Sequence, residues 1–159
     1  MEIRVEAGLT KKIDAIDIRI ISLLQEDSRL SFNKIAHKLE ISVGTACNRV
    51  KSLEDRGVLK GYTVLVDPSK VGYGLTAIIL IQAEGKHLVN VEKEVAKINN
   101  VISVYDITGD FDFIVIARFK DRDGLNAFIK HLLTIPYIKR TVTNVALNVI
   151  KEDLRIKIS

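Results

Sequence analysis

The first third of the chain shows apolar residues at helical spacing. Between residues 13 and 24 they recur every three or four positions, which predicts an amphipathic helix. Ser31 and Ser42 stand where a side-chain oxygen can cap the start of two further helices, and Gly57 is suited to end the last of them. The pattern predicts a three-helix unit whose third helix has a small, polar and basic outer face.

A stretch rich in β-branched residues follows this unit. Val58 to Asp67 predicts a linking strand closed by Pro68, and the turn-forming residues up to Gly74 predict a linker. The predicted division of the chain is 1–62 for the helical domain, 63–73 for the linking strand and linker, and 74–159 for a second domain.

The second domain alternates between strand and helix patterns. The predicted elements, in order, are strand 75–83, helix 88–98, strand 101–108, strand 113–119, helix 121–132 and strand 140–150. This βαββαβ order predicts a ferredoxin-like antiparallel sheet with both helices on one face, and the chain as a whole is expected to be α+β. The other sheet face carries apolar residues from 77–81 and 145–149, which a monomer would leave exposed. We therefore expect a homodimer packed through this sheet.

The net charge of +4 is concentrated in one segment. Residues 28–62 carry seven basic and three acidic side chains, so their excess equals that of the whole chain. This makes the segment a candidate for facing a polyanion, although a solvated basic face would have the same composition. The single cysteine, Cys47, excludes an internal disulfide framework, and no apolar run is long enough for a membrane span. These features predict a soluble, cytoplasmic protein.

A helix-turn-helix places its second helix in the major groove of DNA, with the preceding helix braced against the backbone. The third helix meets this requirement with side chains for base edges, and nearby lysines, including Lys60, suit phosphates. The alternative is a helical bundle with an ordinary solvated face. The residues predicted to face double-stranded DNA are Ser31, Lys34, Lys38, Ser42, Gly44, Thr45, Asn48, Arg49, Lys51 and Ser52.

The sequence offers no catalytic constellation. His37, His87 and His131 lie on different predicted elements without ligands at metal spacing, so no metal or cofactor is predicted. The acidic cluster at 109–112 could perform acid–base chemistry, but Gly and Asp there are better explained as a hairpin turn. Ligand binding by this loop stays open.

The ordered series of these residues resembles the Lrp/AsnC family, the leucine-responsive or feast/famine regulators. The resemblance covers residues 13 to about 153. It rests on Ile13-Asp14-Ala15-Ile16-Asp17, Asp27-Ser28-Arg29-Leu30-Ser31, Ile35-Ala36, Ser42, Arg49-Val50, Leu53-Glu54, Gly57-Val58-Leu59, Gly61-Tyr62, Thr108-Gly109-Asp110-Phe111-Asp112, Ile135-Pro136 and Arg140-Thr141.

This resemblance implies a DNA-binding domain joined by a strand to a domain that dimerises, with dimers assembling further, for example into octamers. It also implies an amino-acid effector bound where two dimers meet. The effector-binding candidates are Asp106, Thr108, Gly109, Asp110 and Asp112, with Thr134, Ile135 and Pro136 from a neighbouring subunit.

The chain departs from the family pattern at two positions. Val43 stands where many members have Pro, and Tyr137 stands where many have Gly, so that its side chain would narrow the effector site. The leading hypothesis is an effector-responsive transcription regulator. The alternatives are an architectural DNA-wrapping protein with little effector dependence, and a small enzyme, against which the missing catalytic constellation argues.

Overall fold

The computed structural model describes residues 12–158, which fall into two compact units. The described part of the first unit comprises 12–65 and 153–158, and the second comprises 66–152. Each unit has its own cluster of buried apolar side chains. Residues 153–158 are part of the first compact unit.

The first unit contains the three predicted helices: α1 (Ala15–Glu26), α2 (Phe32–Leu39) and α3 (Val43–Asp55). Both predicted serine caps are confirmed, because Ser31 Oγ accepts from Lys34 N–H at 3.4 Å and Ser42 Oγ accepts from Thr45 N–H at 3.0 Å. Gly57 follows α3 with φ +68°, a left-handed conformation that suits its predicted role of ending the helix. Ala46, Val50 and Leu53 of α3 pack into the buried cluster, so the opposite face of α3 points outward.

The second unit has the predicted βαββαβ order. Its elements are β1 (Leu75–Ala83), α4 (Leu88–Val95), β2 (Val101–Asp106), β3 (Phe113–Phe119), α5 (Arg122–Leu132) and β4 (Ile138–Val145). The four strands form one antiparallel sheet in the order β2-β3-β1-β4, which is the ferredoxin-like arrangement. Asp121 caps α5 by accepting from Gly124 N–H at 2.8 Å.

Among the described elements of the second unit, helices cover one face of this sheet and leave the other open. Alternate residues of β1 and β3 are buried against α4 and α5. The intervening apolar residues are only partly buried, and Ile78 keeps 37% of its surface exposed. We call this set the open face; it comprises Ile78, Leu80, Ile114, Ile116 and Val142, which adjoin one another in register across β3, β1 and β4.

Three sequence predictions about strands are wrong for the described chain. The first concerns β2, which ends at Asp106 rather than at residue 108. Residues 60–67 form no strand, and Val64 and Leu65 remain 79% and 74% exposed. β-Branched composition favours a strand only where another strand supplies hydrogen-bonding partners, and none lies beside this segment. The last strand ends at Val145 rather than at residue 150. Ala146 N–H still bonds to Thr76 O, but β1 begins at Leu75, so the following residues lie past the end of the neighbouring strand.

Candidate nucleic-acid and effector interfaces

The outer face of α3 is small and polar, as the sequence predicts. Gly44, Thr45, Asn48 and Lys51 are exposed, and Ser52 is half-buried. The Thr45 hydroxyl lies 2.8 Å from the Ser42 hydroxyl, so it already has one partner at the start of the helix. The helix therefore presents side chains with hydrogen-bonding groups to its surroundings, with Asn48 near the centre of the exposed strip.

Basic side chains flank this strip. Lys34 and Lys38 lie exposed on α2, the helix before α3, and Lys60 lies exposed beyond the end of α3. Ser31, the N-cap of α2, is also exposed. Cations on the preceding helix are placed where phosphates would be met by a helix-turn-helix.

Arg49, one of the predicted DNA contacts, bonds two carboxylates of its own chain. Its Nη1 donates to Asp14 Oδ2 at 2.7 Å and to Asp17 Oδ1 at 2.8 Å. Hydrogen bonds to the Asp14 carboxylate, first from the backbone N–H of Asp17 and then from Arg49, lower the pKa of Asp14, and the two carboxylates raise the pKa of Arg49. Arg49 therefore joins α3 to the start of α1.

Tyr62 makes a contact that the sequence did not reveal. Its hydroxyl donates to Glu54 Oε1 at 2.8 Å. Burial and this bond raise the pKa of Tyr62 to about 12, because ionisation would place a phenolate beside a carboxylate. Tyr62 lies beyond the end of α3, so helical periodicity does not pair it with Glu54.

The predicted effector loop connects β2 to β3. Asp106 ends β2, and Thr108, Gly109 and Asp110 are exposed in the connection. Gly109 has φ +120°, which only glycine adopts readily. These three residues are therefore accessible to solvent.

Asp112 is held by the sheet. Its Oδ2 accepts from Ala83 N–H at 2.8 Å, and its own N–H donates to Ile81 O at 3.0 Å. The carboxylate thus satisfies a backbone donor at the end of β1. No local sequence pattern signals this contact, which joins residues 29 positions apart.

Glu92 of α4 is a further acidic residue, which no sequence motif singles out. Its Oε1 is buried without a hydrogen-bond partner among the described residues. Burial raises the pKa of Glu92, and the negative charges of Asp106 and Asp112 raise it further. No local sequence pattern indicates that Glu92 lies near Asp106 and Asp112, since its position in the chain is typical of an ordinary polar site on a helix.

The second group of effector candidates follows α5. Thr134 and Pro136 are exposed, but the side chain of Ile135 is 4% exposed and packs in the core. Tyr137 has φ +72° and stacks on His87, with 3.7 Å between the ring centroids. Tyr137 O accepts from Glu84 N–H just beyond Ala83, so the loops 107–112 and 134–137 both adjoin the end of β1.

Among residues 12–158, no three His, Cys, Asp or Glu side chains are grouped so as to hold a metal ion. Within the same range no helix has the length and apolar character needed to cross a membrane.

Comparison with known proteins identifies both units. Residues 13–60 match a winged helix-turn-helix DNA-binding family, and residues 76–156 match the Lrp/AsnC ligand binding domain. The chain is 49% identical over 146 residues to an uncharacterized HTH-type transcriptional regulator of Pyrococcus furiosus, covering 92% of this chain and 99% of the relative. The chain belongs to the Lrp/AsnC family of transcriptional regulators.

Other family members extend this comparison. The HTH-type transcriptional regulator FL11 of Pyrococcus abyssi is 32% identical over 146 residues, covering 92% of this chain and 97% of FL11. The transcriptional regulator of Neisseria meningitidis solved with L-methionine has a TM-score of 0.83 and 27% identity, covering 92% of this chain and 97% of that protein.

Family membership assigns the two units their general roles. The first Lrp/AsnC unit is a DNA-binding domain, and the second is a ligand-binding domain. The family comprises transcriptional regulators rather than enzymes, so the acidic loop at 109–112 is part of a regulator.

Proposed function

We propose that this protein is a sequence-specific transcriptional regulator that reads the major groove through α3. The observation that carries the proposal is the exposed polar strip on α3, within a unit that matches a DNA-binding helix-turn-helix family. Asn48 stands at the centre of the strip, where an amide can bond to a base edge. The lysines position the domain on phosphates. The proposed contacts are Ser31, Lys34, Lys38, Ser42, Gly44, Thr45, Asn48, Lys51 and Ser52.

Two substitutions distinguish base contacts from phosphate contacts. Asn48→Ala should weaken binding to DNA selected from a random pool by about 1–3 kcal/mol. Its affinity for unselected DNA should stay unchanged. Lys38→Ala should weaken both kinds of DNA alike and reduce the slope of log affinity against log salt by about 1. Fluorescence anisotropy over a series of salt concentrations measures both effects. Equal losses on selected and unselected DNA for both variants would contradict the assigned roles.

We propose that the protein is a homodimer packed through the open face, with dimers joining into larger assemblies such as octamers. The support is the adjoining row of Ile78, Leu80 and Ile116 with its neighbours on the sheet face that the described helices of the second unit leave uncovered. Burial of such a row between two copies removes apolar surface from water. Two helix-turn-helix units related by a two-fold axis then favour a palindromic DNA site.

We further propose that an amino acid is the effector and that it binds beside the 107–112 loop. A free amino acid needs donors for its carboxylate and an acid for its ammonium group. Backbone N–H groups near Gly109 suit the first, and the exposed carboxylates of Asp106 and Asp110 suit the second. The related regulator of Neisseria meningitidis was solved with L-methionine. Asp112 supports the loop, because its carboxylate is bonded to Ala83. Thr108 and, from a neighbouring subunit where two dimers meet, Thr134, Ile135 and Pro136 complete the proposed site. Ile135 would contribute its backbone, because its side chain is buried.

Calorimetric titration with each of the twenty amino acids tests the effector proposal. We expect at least one to bind, and we expect Asp106→Ala or Asp110→Ala to abolish its binding. Light scattering should show that the ligand changes the assembly size, since a site between dimers links binding to assembly. The matched control is Asp123→Ala, an exposed acid on α5 away from the loop, which should leave binding unchanged. Absence of binding at millimolar concentration, or binding that survives both loop substitutions, would contradict the proposed site.

A further inference from the structure

Arg49 lies on the DNA-facing helix but directs its guanidinium into the protein. Its side chain is only 23% exposed, and the Asp17 side chain that it bonds is 5% exposed. The two carboxylate partners precede Arg49 by 35 and 32 residues, at the start of α1. A single nitrogen therefore connects the middle of α3 to the first turn of another helix.

Both carboxylates are shared between Arg49 and the backbone of α1. Asp14 Oδ1 accepts from Ile16 N–H at 3.0 Å and Asp17 N–H at 2.9 Å, while Asp17 Oδ2 accepts from Asp14 N–H at 3.3 Å. This reciprocal pair is a capping box, which fixes the direction of both side chains. The remaining oxygens, Asp14 Oδ2 and Asp17 Oδ1, bond to Arg49. The ion pair therefore rests on a rigid acceptor pair.

Transfer of Arg49 from these carboxylates to a phosphate would leave Asp17 charged and buried without its cation. A buried charge that loses its partner is strongly destabilising. The lysines on this surface can reach phosphates without such a loss, because they are exposed. The geometry thus favours retention of the Arg49 contacts when DNA binds.

We infer that Arg49 is a positioning residue for DNA recognition, which sets the rotation of α3 against α1 and so directs Asn48 and Ser52 toward the bases. Asn48 adjoins Arg49 in sequence, and Ser52 lies one turn later, so rotation of α3 about its axis would displace both. Apolar packing by Ala46, Val50 and Leu53 holds α3 in place but is non-directional. The hydrogen bonds from Arg49 to Asp14 and Asp17 are directional, so they fix the rotation of α3 about its axis. This inference rests on the proposed function, in which α3 reads the major groove.

The test compares Arg49→Met with Lys51→Met in the full-length protein, on selected and unselected DNA over a range of salt concentrations. Arg49→Met should lower the ratio of selected to unselected affinity by about tenfold or more, the effect of one lost base contact, with the salt slope unchanged. Lys51→Met, the matched loss of an exposed cation, should lower the slope by about 1 and leave most of the ratio intact. Arg49→Lys should restore much of the ratio, since it returns a cation to the carboxylates.

A second variant changes no atom of α3. Asp14→Asn combined with Asp17→Asn keeps the helix cap, because Asn is a good N-cap, but removes both negative partners of Arg49. This double variant should lower the ratio of selected to unselected affinity. It tests the role of Arg49 even if Arg49→Met does not fold. A ratio equal to that of the wild type in this double variant, or a salt slope reduced by about 1 in Arg49→Met with the ratio unchanged, would overturn the inference. A wild-type protein without preference for selected DNA would instead contradict the proposed function itself.

Discussion

Ile116→Glu should convert the protein from a dimer to a monomer. Ile116 lies opposite Ile78 at the centre of the open face, and a carboxylate there would be buried without a partner when two sheets pack together. In the monomer the side chain reaches solvent, so the fold should persist. Sedimentation velocity at micromolar concentration should show a single species of monomer mass, with an unchanged circular dichroism spectrum.

The same substitution should weaken DNA binding without touching the DNA-binding unit. A dimer holds two helix-turn-helix units on one duplex, and loss of such bivalency costs about 10²–10⁴ in affinity. The matched control is Val89→Glu, which places the same charge at an exposed apolar position of α4. This control should remain dimeric and bind DNA normally. An Ile116→Glu protein that remains dimeric would contradict packing through the open face.

Leu53→Ala and Leu132→Ala should each destabilise only the unit in which the leucine lies. Both side chains are fully buried, one in the helical cluster and one in the cluster beneath the sheet. Removal of a buried leucine side chain costs about 2–5 kcal/mol in the free energy of unfolding. Because the two clusters are separate, each loss should be local.

Native-state hydrogen exchange resolves these two effects by residue. Leu53→Ala should accelerate exchange of amides in α1, α2 and α3, weaken DNA binding on warming and leave the dimer intact. Leu132→Ala should accelerate exchange in the sheet and in α5, and should promote dissociation. Equal acceleration across the whole chain by either variant would mean that the two units unfold as one.

Local sequence patterns predicted most of the fold for a physical reason. The serine caps and the helical spacing of apolar residues act within a few positions, so Ser31 and Ser42 are visible in sequence. β1 and β3 were predicted with their observed bounds, because a strand buried on one face and half-buried on the other is apolar along most of its length. The pairing of distant strands was also predictable where the order of the elements determines it, as in the βαββαβ sheet.

The remaining features depend on contacts between distant residues. Arg49 suits a DNA contact by its place on the helix, but only the folded unit brings it to Asp14 and Asp17. Asp112 was expected in a hairpin turn and among the effector contacts, but its bond to Ala83 at the end of β1 has no local sequence signal. The prediction of a linking strand was wrong because the β propensity of a segment does not supply the neighbouring strand that it needs for pairing.

Backbone strain was also invisible in the sequence. Glu40 and Tyr137 adopt positive φ values of 56° and 72°, although neither residue type favours them. At Glu40 this left-handed conformation ends α2 and allows the tight turn into α3. At Tyr137 it accompanies the stacking on His87 beside the proposed effector site. In both cases the surrounding fold imposes the conformation.

Measurement of wild-type affinity for selected and unselected DNA as a function of salt tests the central claim most directly. We predict a clear preference for the selected sequence, whose half-sites lie about one helical turn apart or a multiple of it. We also predict that log affinity falls linearly with log salt, with a slope of about −0.9 for each phosphate neutralised. Equal affinity for every sequence, or affinity that does not change with salt, would contradict a regulator that reads DNA through α3.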